Sequence, residues 1–414
     1  MKVTFVALNY APSRGGAQEH VRRVAEGLVA RGHDVTVLTT DALRSPASRE
    51  PGRIRDRRAR IGGVEVRRYP TPLLLQWAMA VLRRLVWRQR QRAGEPGAVP
   101  EAVPLGPWLL GPWSPSLALA VRRAMRSDDV VIGCSAPFTT AVLPNWLRVR
   151  GGARVASMPL LHASTTGPHP ALGRALRTSD LVFASTDFEA RIDRSVGISS
   201  LRVGVVPPGV APLDYPVLDP QDARARCALP ERPTVGFIGR LAAYKGVDTL
   251  LDAAPAIWEA APDTTVLIAG SATGWDGFRS PAVANVGGDR LVIREGFRDE
   301  ERAWLYAACD VVVHPSRDES FGLVALESWA ARRPVVLADI PCVRSFAEEG
   351  RTAEIVPPGD PASLAQKVVD LLGDPARRER LAAAGNAEIA GQFDWDRICD
   401  AWDETLGCLA AEGR

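Results

Sequence analysis

The sequence predicts an α/β protein built from two Rossmann-like domains that face each other across a cleft. Its 414 residues exceed the roughly 250–300 residues at which a single hydrophobic core stops growing. Short β-branched runs alternate with amphipathic segments along both halves, which is typical of parallel sheets covered by helices. Four prolines and one glycine interrupt this pattern in VVPPGVAPLDYP (205–216). We therefore predict domains over 1–206 and 207–392, with a terminal helix over 393–414.

The first half reads as a series of strands with one clear helix. Gln18–Ala30 is predicted as a helix because its apolar residues recur at helical spacing. The polar segments Arg44–Gly63 and Arg88–Pro104 are predicted to be loops. The predicted strands are Val3–Leu8, Val35–Thr39, Val64–Arg68, Asp129–Gly133, Arg154–Ser157, Leu181–Ala184 and Val203–Val206.

The second half repeats the alternation of strand and helix. Its predicted strands are Thr234–Ile238, Thr265–Ala269, Leu291–Arg294, Asp310–His314, Pro334–Ala338 and Glu354–Val356. Its predicted helices are Gly246–Glu259, Glu300–Ala308, Gly322–Ala331 and Pro361–Leu372.

The composition excludes several classes of protein. Six cysteines occur without a Cys-x-x-Cys pair, which argues against a zinc site or a disulfide framework. The uncharged run Ala102–Val121 is long enough to cross a bilayer, but its four prolines would leave backbone groups unpaired in lipid. The first residues lead directly into an apolar strand, so we expect no signal peptide and a cytoplasmic protein.

Charge is unevenly distributed although the net charge is only +3. Residues 1–200 carry 29 Lys/Arg against 15 Asp/Glu, whereas 201–414 carry 22 against 33. The stretch 51–100 holds 12 arginines and three acids. This excess suits an anionic acceptor or a peripheral contact with an anionic membrane through LRRLVWRQRQR (82–92), and the alternative is a solvated surface. No recognised nucleic-acid module accompanies it, so no nucleic-acid partner is expected.

Three motifs carry candidate chemistry, and the first is a glycine pair before the first helix. Gly15 and Gly16 leave the backbone free of side chains at a helix N-terminus, where amides and the helix dipole attract phosphate. The alternative is an ordinary tight turn between strand and helix.

The second motif follows the strand that ends at Ile238. Gly239 opens a turn, and Arg240 and Lys245 lie five positions apart before a helix. Arg binds a diphosphate bidentately and Lys adds a compact charge. Only three lysines occur in the whole chain, which makes a lysine here notable. The pattern is not that of a nicotinamide-binding loop, and the alternative is a solvated basic turn.

The third motif is ESFGLVALE (319–327), which follows a buried strand. Glu319 and Glu327 are eight positions apart, or about 12 Å of rise if the whole segment were helical. A glycosidase needs its carboxyl groups roughly 5–9.5 Å apart around one bond. The spacing therefore favours two anchors on an extended ligand, and the alternative for either glutamate is a solvated helix face.

In this order the motifs resemble the retaining glycosyltransferases of family 4, which have the GT-B fold. The resemblance covers GGAQEHVRRVAEGLVARGHDVTVLT (15–39), VGFIGRLAAYKGVDTLLDA (235–253), ESFGLVALE (319–327), VPPGDPASLAQKVVDLL (356–372) and FDWDRI (393–398). It implies a donor that is a nucleotide diphosphate sugar, no required cofactor or metal, and a terminal helix that packs on the first domain. Asp394-Trp-Asp396 is then a helix start and not a metal site.

The resemblance also implies roles for individual residues. Arg240 and Lys245 would hold the diphosphate and stabilise the leaving group. Glu327 would bind the ribose hydroxyls, and Glu319 would orient the transferred sugar. The donor-binding set is completed by Gly15, Gly16, Phe297, Ser320, Phe321, Gly322 and Leu323, with the two glycines approaching the diphosphate from the first domain.

On the acceptor side the resemblance points to His162, near the anomeric carbon. Relatives often place a second histidine where this chain reads VIGCSAPF (131–138), so Ser135 or Cys134 would take its place. Two further departures, Ala331-Arg-Arg-Pro334 and Pro341-Cys342, lie where the family has glycines near the donor.

The predicted activity is transfer of a hexose from a UDP- or GDP-linked sugar, with retention, to a saccharide, lipid-linked or natural-product hydroxyl. The alternatives are a nucleotide-sugar epimerase or a phosphorylase of the same fold, or a non-catalytic nucleotide-sugar-binding protein. The glutamates and the cation pair argue against the non-catalytic alternative.

Overall fold

The computed structural model divides into two compact units. Unit 1 consists of Met1–Pro207 and Trp395–Arg414, and unit 2 of Pro208–Asp394. The structure describes residues 1–13, 15–43, 52–72, 111–136, 138–161, 170–195, 202–271 and 287–412, together with isolated positions between 74 and 82.

Unit 1 is built on an eight-stranded sheet with the order β3-β4-β2-β1-β5-β6-β7-β8. Its described neighbouring strands are parallel, except that β3 and β4 are antiparallel. The strands are β1 (Lys2–Val6), β2 (Asp34–Thr40), β3 (Arg58–Ile61), β4 (Val64–Tyr69), β5 (Val130–Cys134), β6 (Arg154–Met158), β7 (Leu181–Ala184) and β8 (Val203–Val205). The described helices are α1 (Gly16–Ala30), α2 (Pro115–Ser127), α3 (Thr139–Trp146), α4 (Pro170–Arg177), α5 (Asp187–Ser195) and, after unit 2, α12 (Trp395–Ala411).

The terminal helix α12 completes the core of unit 1. Trp402 is fully buried and its ring stacks on Phe183 of β7 with centroids 3.6 Å apart. Helix α1 lies so close to α12 that a side chain at Gly27 would overlap the sulfur of Cys399. At the surface, Arg31 Nη2 lies 2.6 Å from Asp400 Oδ1. Burial of large aromatic rings and the close approach of two backbones therefore fix α12 to unit 1.

Unit 2 contains a six-stranded parallel sheet with the order β11-β10-β9-β12-β13-β14. Its strands are β9 (Thr234–Ile238), β10 (Thr265–Gly270), β11 (Leu291–Glu295), β12 (Val311–His314), β13 (Val335–Ala338) and β14 (Glu354–Val356). Its described helices are α6 (Pro220–Arg226), α7 (Val247–Ala260), α8 (Asp299–Ala307), α9 (Leu323–Ala330), α10 (Pro361–Gly373) and α11 (Pro375–Glu388). The strands are almost continuously apolar, as expected for a sheet that is covered on both faces.

Each sheet has one point where the strand order reverses. In unit 1 the chain moves outward in opposite directions from the neighbours β1 and β5, and in unit 2 from β9 and β12. The loops that follow these strands diverge, and ligands of open α/β sheets bind in the crevice that this leaves at the carboxyl ends of the strands. A ligand-binding site is therefore expected in the segments that follow β1, β5, β9 and β12.

The α/β prediction is confirmed, and every predicted strand occurs within two residues of its predicted ends. The expectation of a loop throughout Arg44–Gly63 was wrong, because β3 (Arg58–Ile61) lies within this range. In this strand Arg58 and Arg60 are exposed while Ala59 and Ile61 are half-buried. Such a short, basic edge strand has too few apolar residues to produce a clear alternating pattern.

Candidate functional site

The turn after β9 presents the two predicted cations. Arg240 is exposed, and its Nη1 donates to Tyr244 Oη at 3.2 Å. Lys245 ends a short 3₁₀ turn, and Gly246 follows with φ 72°, before α7 begins. A Cβ at Gly246 would overlap the carbonyl oxygen of Pro315 in the loop after β12. Only glycine fits this position, because the backbone is left-handed and the neighbouring loop touches it.

The loop after β12 supplies a buried carboxylate to Lys245. Glu319 is 6% exposed, and its Oε1 accepts from Lys245 Nζ, from Ser316 Oγ at 2.9 Å and contacts His314 Nε2 at 2.7 Å. Burial alone would raise the pKa of Glu319, but the charge of Lys245 and the contact with His314 lower the pKa well below its usual value. Glu319 is therefore ionised and lies beside the turn that carries Arg240 and Lys245.

Like the contact between Lys245 and Glu319, Arg317 connects the loop after β12 to the turn after β9. Its guanidinium donates to both carboxylate oxygens of Asp248 on α7, each at 2.8 Å. It also donates to the carbonyl oxygen of Ala243 at 2.8 Å. A planar guanidinium that binds a carboxylate with two bonds has a fixed geometry. The turn that carries Lys245 is thus held at a defined position beside the loop after β12.

The N-terminus of α9 lies at the end of this loop. Phe321 is buried and stacks on Phe346 with centroids 4.6 Å apart, and half-buried Ser320 precedes it. Gly322 has φ 108° and is the N-cap, and among the described residues no side chain caps the helix that begins at Leu323. Its first amides therefore remain available to an anion.

The helix begins at Leu323, one residue after its predicted start, and Glu319 and Glu327 do not share it, as the predicted bounds already implied. Glu319 precedes it, on the loop, and Glu327 lies inside α9. The estimate of their separation from helical rise does not apply to this geometry.

Glu327 has partners that the sequence did not reveal, among them Tyr215 and two side chains of α8. Its Oε1 accepts from Arg302 Nη1 at 3.0 Å and its Oε2 from Tyr306 Oη at 2.6 Å. Arg302 and Tyr306 are four positions apart on α8 and so share one face. The guanidinium carbon of Arg302 lies 6.0 Å from the ring centroid of Phe297. The four-residue spacing of Arg302 and Tyr306 could be recognised in the sequence. That these two residues face Glu327 on α9 could not.

The predicted residues of unit 1 lie at its own reversal point, as far as they are described. Gly15 is the N-cap of α1 with φ 150°, Gly16 begins the helix, and no described side chain caps it. Ser135 follows β5 with φ 68°. His162 and most of the basic segment 82–92 lie outside the described residues. No helix in the described part of the chain is long and apolar enough to span a bilayer.

Solved structures establish the fold class. Sucrose-phosphate synthase from Thermosynechococcus elongatus matches with a TM-score of 0.76 at 20% identity, covering 99% of this chain and 99% of that one. HepE from Anabaena, solved in complex with UDP and glucose, matches with a TM-score of 0.71 at 20% identity, covering 98% and 99%. The chain has the GT-B fold of glycosyltransferases.

Sequence comparisons identify the family. The family model described as "Glycosyl transferases group 1" matches residues 232–374, and "Glycosyltransferase Family 4" matches residues 14–99. Together they cover more than half of the chain, which belongs to the group 1 glycosyltransferases of family 4.

Individual relatives match part of their own length. A protein named D-inositol 3-phosphate glycosyltransferase from Xylanimonas cellulosilytica is 34% identical over 244 residues, covering 55% of this chain and 57% of that protein. The protein of the same name from Thermomonospora curvata is 34% identical over 278 residues, covering 60% and 62%. The chain thus spans less than two thirds of the length of these relatives.

Proposed function

We propose that this chain transfers a hexose from a nucleotide diphosphate sugar, UDP- or GDP-linked, to an acceptor hydroxyl with retention at the anomeric carbon. The observation that carries the proposal is the arrangement at the reversal point of unit 2. There, Arg240 and Lys245 and the open N-terminus of α9 supply positive charge beside the ionised Glu319. This suits a diphosphate next to a sugar.

In the proposed reaction, the bond between the anomeric carbon and the diphosphate oxygen breaks while the bond to the acceptor oxygen forms on the same face. The acceptor proton passes to the leaving diphosphate. Arg240, Lys245 and the amides of α9 would balance the developing negative charge, so that the reaction needs no metal ion. This charge stabilisation is strongest where the donors are already held in place, as Lys245 is by the loop after β12.

Two anchors would hold the rest of the donor. Glu327 would accept hydrogen bonds from the ribose hydroxyls, and Glu319 would orient the transferred sugar, with Ser320, Phe321 and Gly322 beside it. The Glu327 side chain is 16% exposed, so it is not closed off from a ligand. HepE, whose solved complex contains UDP and glucose, has the same fold and supports a donor of this class.

We propose that the acceptor binds to unit 1, with Ser135 and His162 on the acceptor side. The relatives named for D-inositol 3-phosphate favour a phosphorylated acceptor, and so does the excess of arginine in residues 1–200. Saccharides, lipid-linked saccharides and natural products should be tested as acceptors beside phosphorylated compounds.

We further propose that the enzyme is cytoplasmic and makes a peripheral contact with anionic membranes through residues 51–100. Co-sedimentation with anionic and with neutral vesicles tests this contact.

A thermal-shift screen against nucleoside diphosphates and their sugars tests the donor site. We expect either the UDP or the GDP series to stabilise the chain, because a ligand that binds only the folded state raises Tm. Lys245→Met should abolish the shift, whereas Lys367→Met, on α10 and paired with Glu354, should retain it. Absence of any shift with both series in the wild-type chain would refute the donor site. Turnover of the donor with no acceptor present would indicate an epimerase, whereas donor binding without release of nucleoside diphosphate with any acceptor would indicate a non-catalytic binding protein.

A further inference from the structure

We infer that Arg302 and Tyr306 position the carboxylate of Glu327 for the vicinal 2′- and 3′-hydroxyls of the nucleotide, and thereby determine a preference for ribose over deoxyribose. This inference rests on the proposed function, since it assumes that a nucleoside diphosphate binds at Glu327. It assigns two residues of α8 a role in donor specificity.

The geometry gives each oxygen of Glu327 one donor from α8. Arg302 Nη1 lies 3.0 Å from Oε1 and Tyr306 Oη 2.6 Å from Oε2. A carboxylate has about four lone-pair sites. Tyr215 also forms a side-chain hydrogen bond with Glu327, so the three protein donors leave at least one site for a ligand hydroxyl. One hydroxyl of a ribose can donate to that site while the adjacent hydroxyl lies beside the same carboxylate. A carboxylate that is held at both oxygens is therefore prepared for a vicinal diol.

The two donors are themselves fixed by their surroundings. Tyr306 is fully buried, and its ring packs edge-on against Tyr215 with centroids 5.7 Å apart. Arg302 Nη2 binds Asp299 Oδ1 at 3.1 Å on the preceding turn of α8. Burial and the negative charge of Glu327 raise the pKa of Tyr306 well above its usual value, so its hydroxyl remains a donor. A site held by buried partners loses little freedom when the ligand binds.

An ordinary ion pair between two helices is the competing explanation. Such a pair would stabilise unit 2 but would not distinguish one nucleotide from another. Ribose discrimination separates the two explanations, because only a positioned carboxylate makes the contribution of the hydroxyls depend on Arg302 and Tyr306.

The experiment measures the affinities of UDP, 2′-deoxy-UDP and 3′-deoxy-UDP by calorimetry, with the GDP series in parallel. The variants are Tyr306→Phe, which removes one hydroxyl, and Arg302→Lys, which keeps the charge but loses the planar fork. Arg298→Gln is the matched control, because this residue of the α8 N-terminus is 75% exposed and contacts Glu301.

For the wild-type chain we expect a preference for the ribonucleotide of about ten- to a hundredfold, the effect of hydrogen bonds to a charged group. Tyr306→Phe should weaken UDP about tenfold and change the deoxynucleotides less than about twofold, so that the preference collapses. Arg302→Lys should reduce the preference in the same way, and Arg298→Gln should retain it.

The outcomes separate the inference from the proposed function. If the wild-type chain binds neither series, the proposed function fails and the inference fails with it. If UDP or GDP binds but the wild-type chain shows no preference for ribose, or if Tyr306→Phe and Arg302→Lys both retain the full preference, the inference is overturned. The nucleotide site would stand in either of those cases.

Discussion

Lys245 and Glu319 form an ion pair although 74 positions separate them in the chain. The pair is largely withdrawn from water, with side chains that are 15% and 6% exposed. It exists because β9 and β12 are neighbours in the sheet, so that the loops at their carboxyl ends meet. The same contact joins the cation proposed for the diphosphate to the carboxylate proposed for the sugar.

Replacing Glu319 with Gln should destabilise unit 2 by about 1–3 kcal/mol, because Lys245 then lacks a charged partner in a partly buried place. The pH dependence should change as well. The pKa of Glu319 is lower in the folded chain than the usual 4.5, so its contribution to stability is present above about pH 4.5 and is lost as pH falls toward the folded pKa.

Urea unfolding of both chains at about pH 7 and about pH 4 checks this prediction. The difference between wild type and Glu319→Gln should shrink at the lower pH. An equal difference at both values would show that the carboxylate does not carry the ion pair. Glu348→Gln, which removes a carboxylate of unit 2 that is 64% exposed and pairs with Arg351, is the control.

Replacing Gly246 with Ala should cost more than the left-handed backbone alone explains. An alanine at positive φ costs about 1–2 kcal/mol, and at Gly246 its Cβ would also overlap the carbonyl oxygen of Pro315. Gly350 is the matched control, since it has the same φ of 72° and no atom of the described residues lies within 4 Å of the added Cβ. We expect Gly246→Ala to lower Tm clearly more than Gly350→Ala, and to weaken nucleotide binding. Equal effects would contradict the tight contact between the two loops.

Replacing Asp193 with Asn should stabilise unit 1 at neutral and alkaline pH. Asp193 lies on α5 and is fully buried, and among the described residues neither carboxylate oxygen has a hydrogen-bond partner. Burial, together with the nearby charge of Glu189, raises the pKa of Asp193 to about 8. An acid whose folded pKa is raised destabilises the protein increasingly as pH rises from its unfolded value, 3.8, through the folded one.

The Asn variant has no such titration, so its Tm should exceed that of the wild-type chain at about pH 8 and approach it at about pH 4. A gain of at least about 1 kcal/mol at the higher pH is expected. Asp187→Asn removes an exposed carboxylate from the same helix and should change Tm by the same amount at both pH values. A gain for Asp193→Asn that is constant with pH would refute the explanation by ionisation.

Replacing Trp402 with Ala should destabilise unit 1 by about 3–5 kcal/mol, the usual cost of removing a large buried aromatic side chain. The loss would come from the stacking on Phe183 and from the cavity left beside it. Asp400→Ala, on the same helix, removes a carboxylate that is 72% exposed and should cost at most about 1 kcal/mol. Urea unfolding measures both, and similar costs would mean that α12 is held mainly by its surface ion pairs.

Local patterns predicted the strands well because these strands are apolar and bounded by glycine, proline or polar turns. Leu181–Ala184 and Thr234–Ile238 occur with their predicted ends. The edge strand β3 was not predicted, because Arg58 and Arg60 are exposed and only Ala59 and Ile61 are half-buried.

The partners within the site could not be predicted from local patterns, since they depend on which strands become neighbours. Arg302 and Tyr306 show helical spacing in the sequence, but their contact with Glu327 arises only when α8 packs beside α9. The pairing of Lys245 with Glu319 likewise requires β9 next to β12. Resemblance to a family supplied the candidate residues, whereas the contacts among them are properties of the folded chain.

The position of α12 in the chain has a consequence for biosynthesis. Ribosomes make Trp402 after all of unit 2, whose residues end at Asp394. Domains generally fold as units while the chain emerges, so unit 2 can complete its core while Phe183 in unit 1 still lacks the ring that covers it. The nascent chain therefore carries an unfinished first unit throughout the synthesis of the second, a period in which chaperones are expected to protect it.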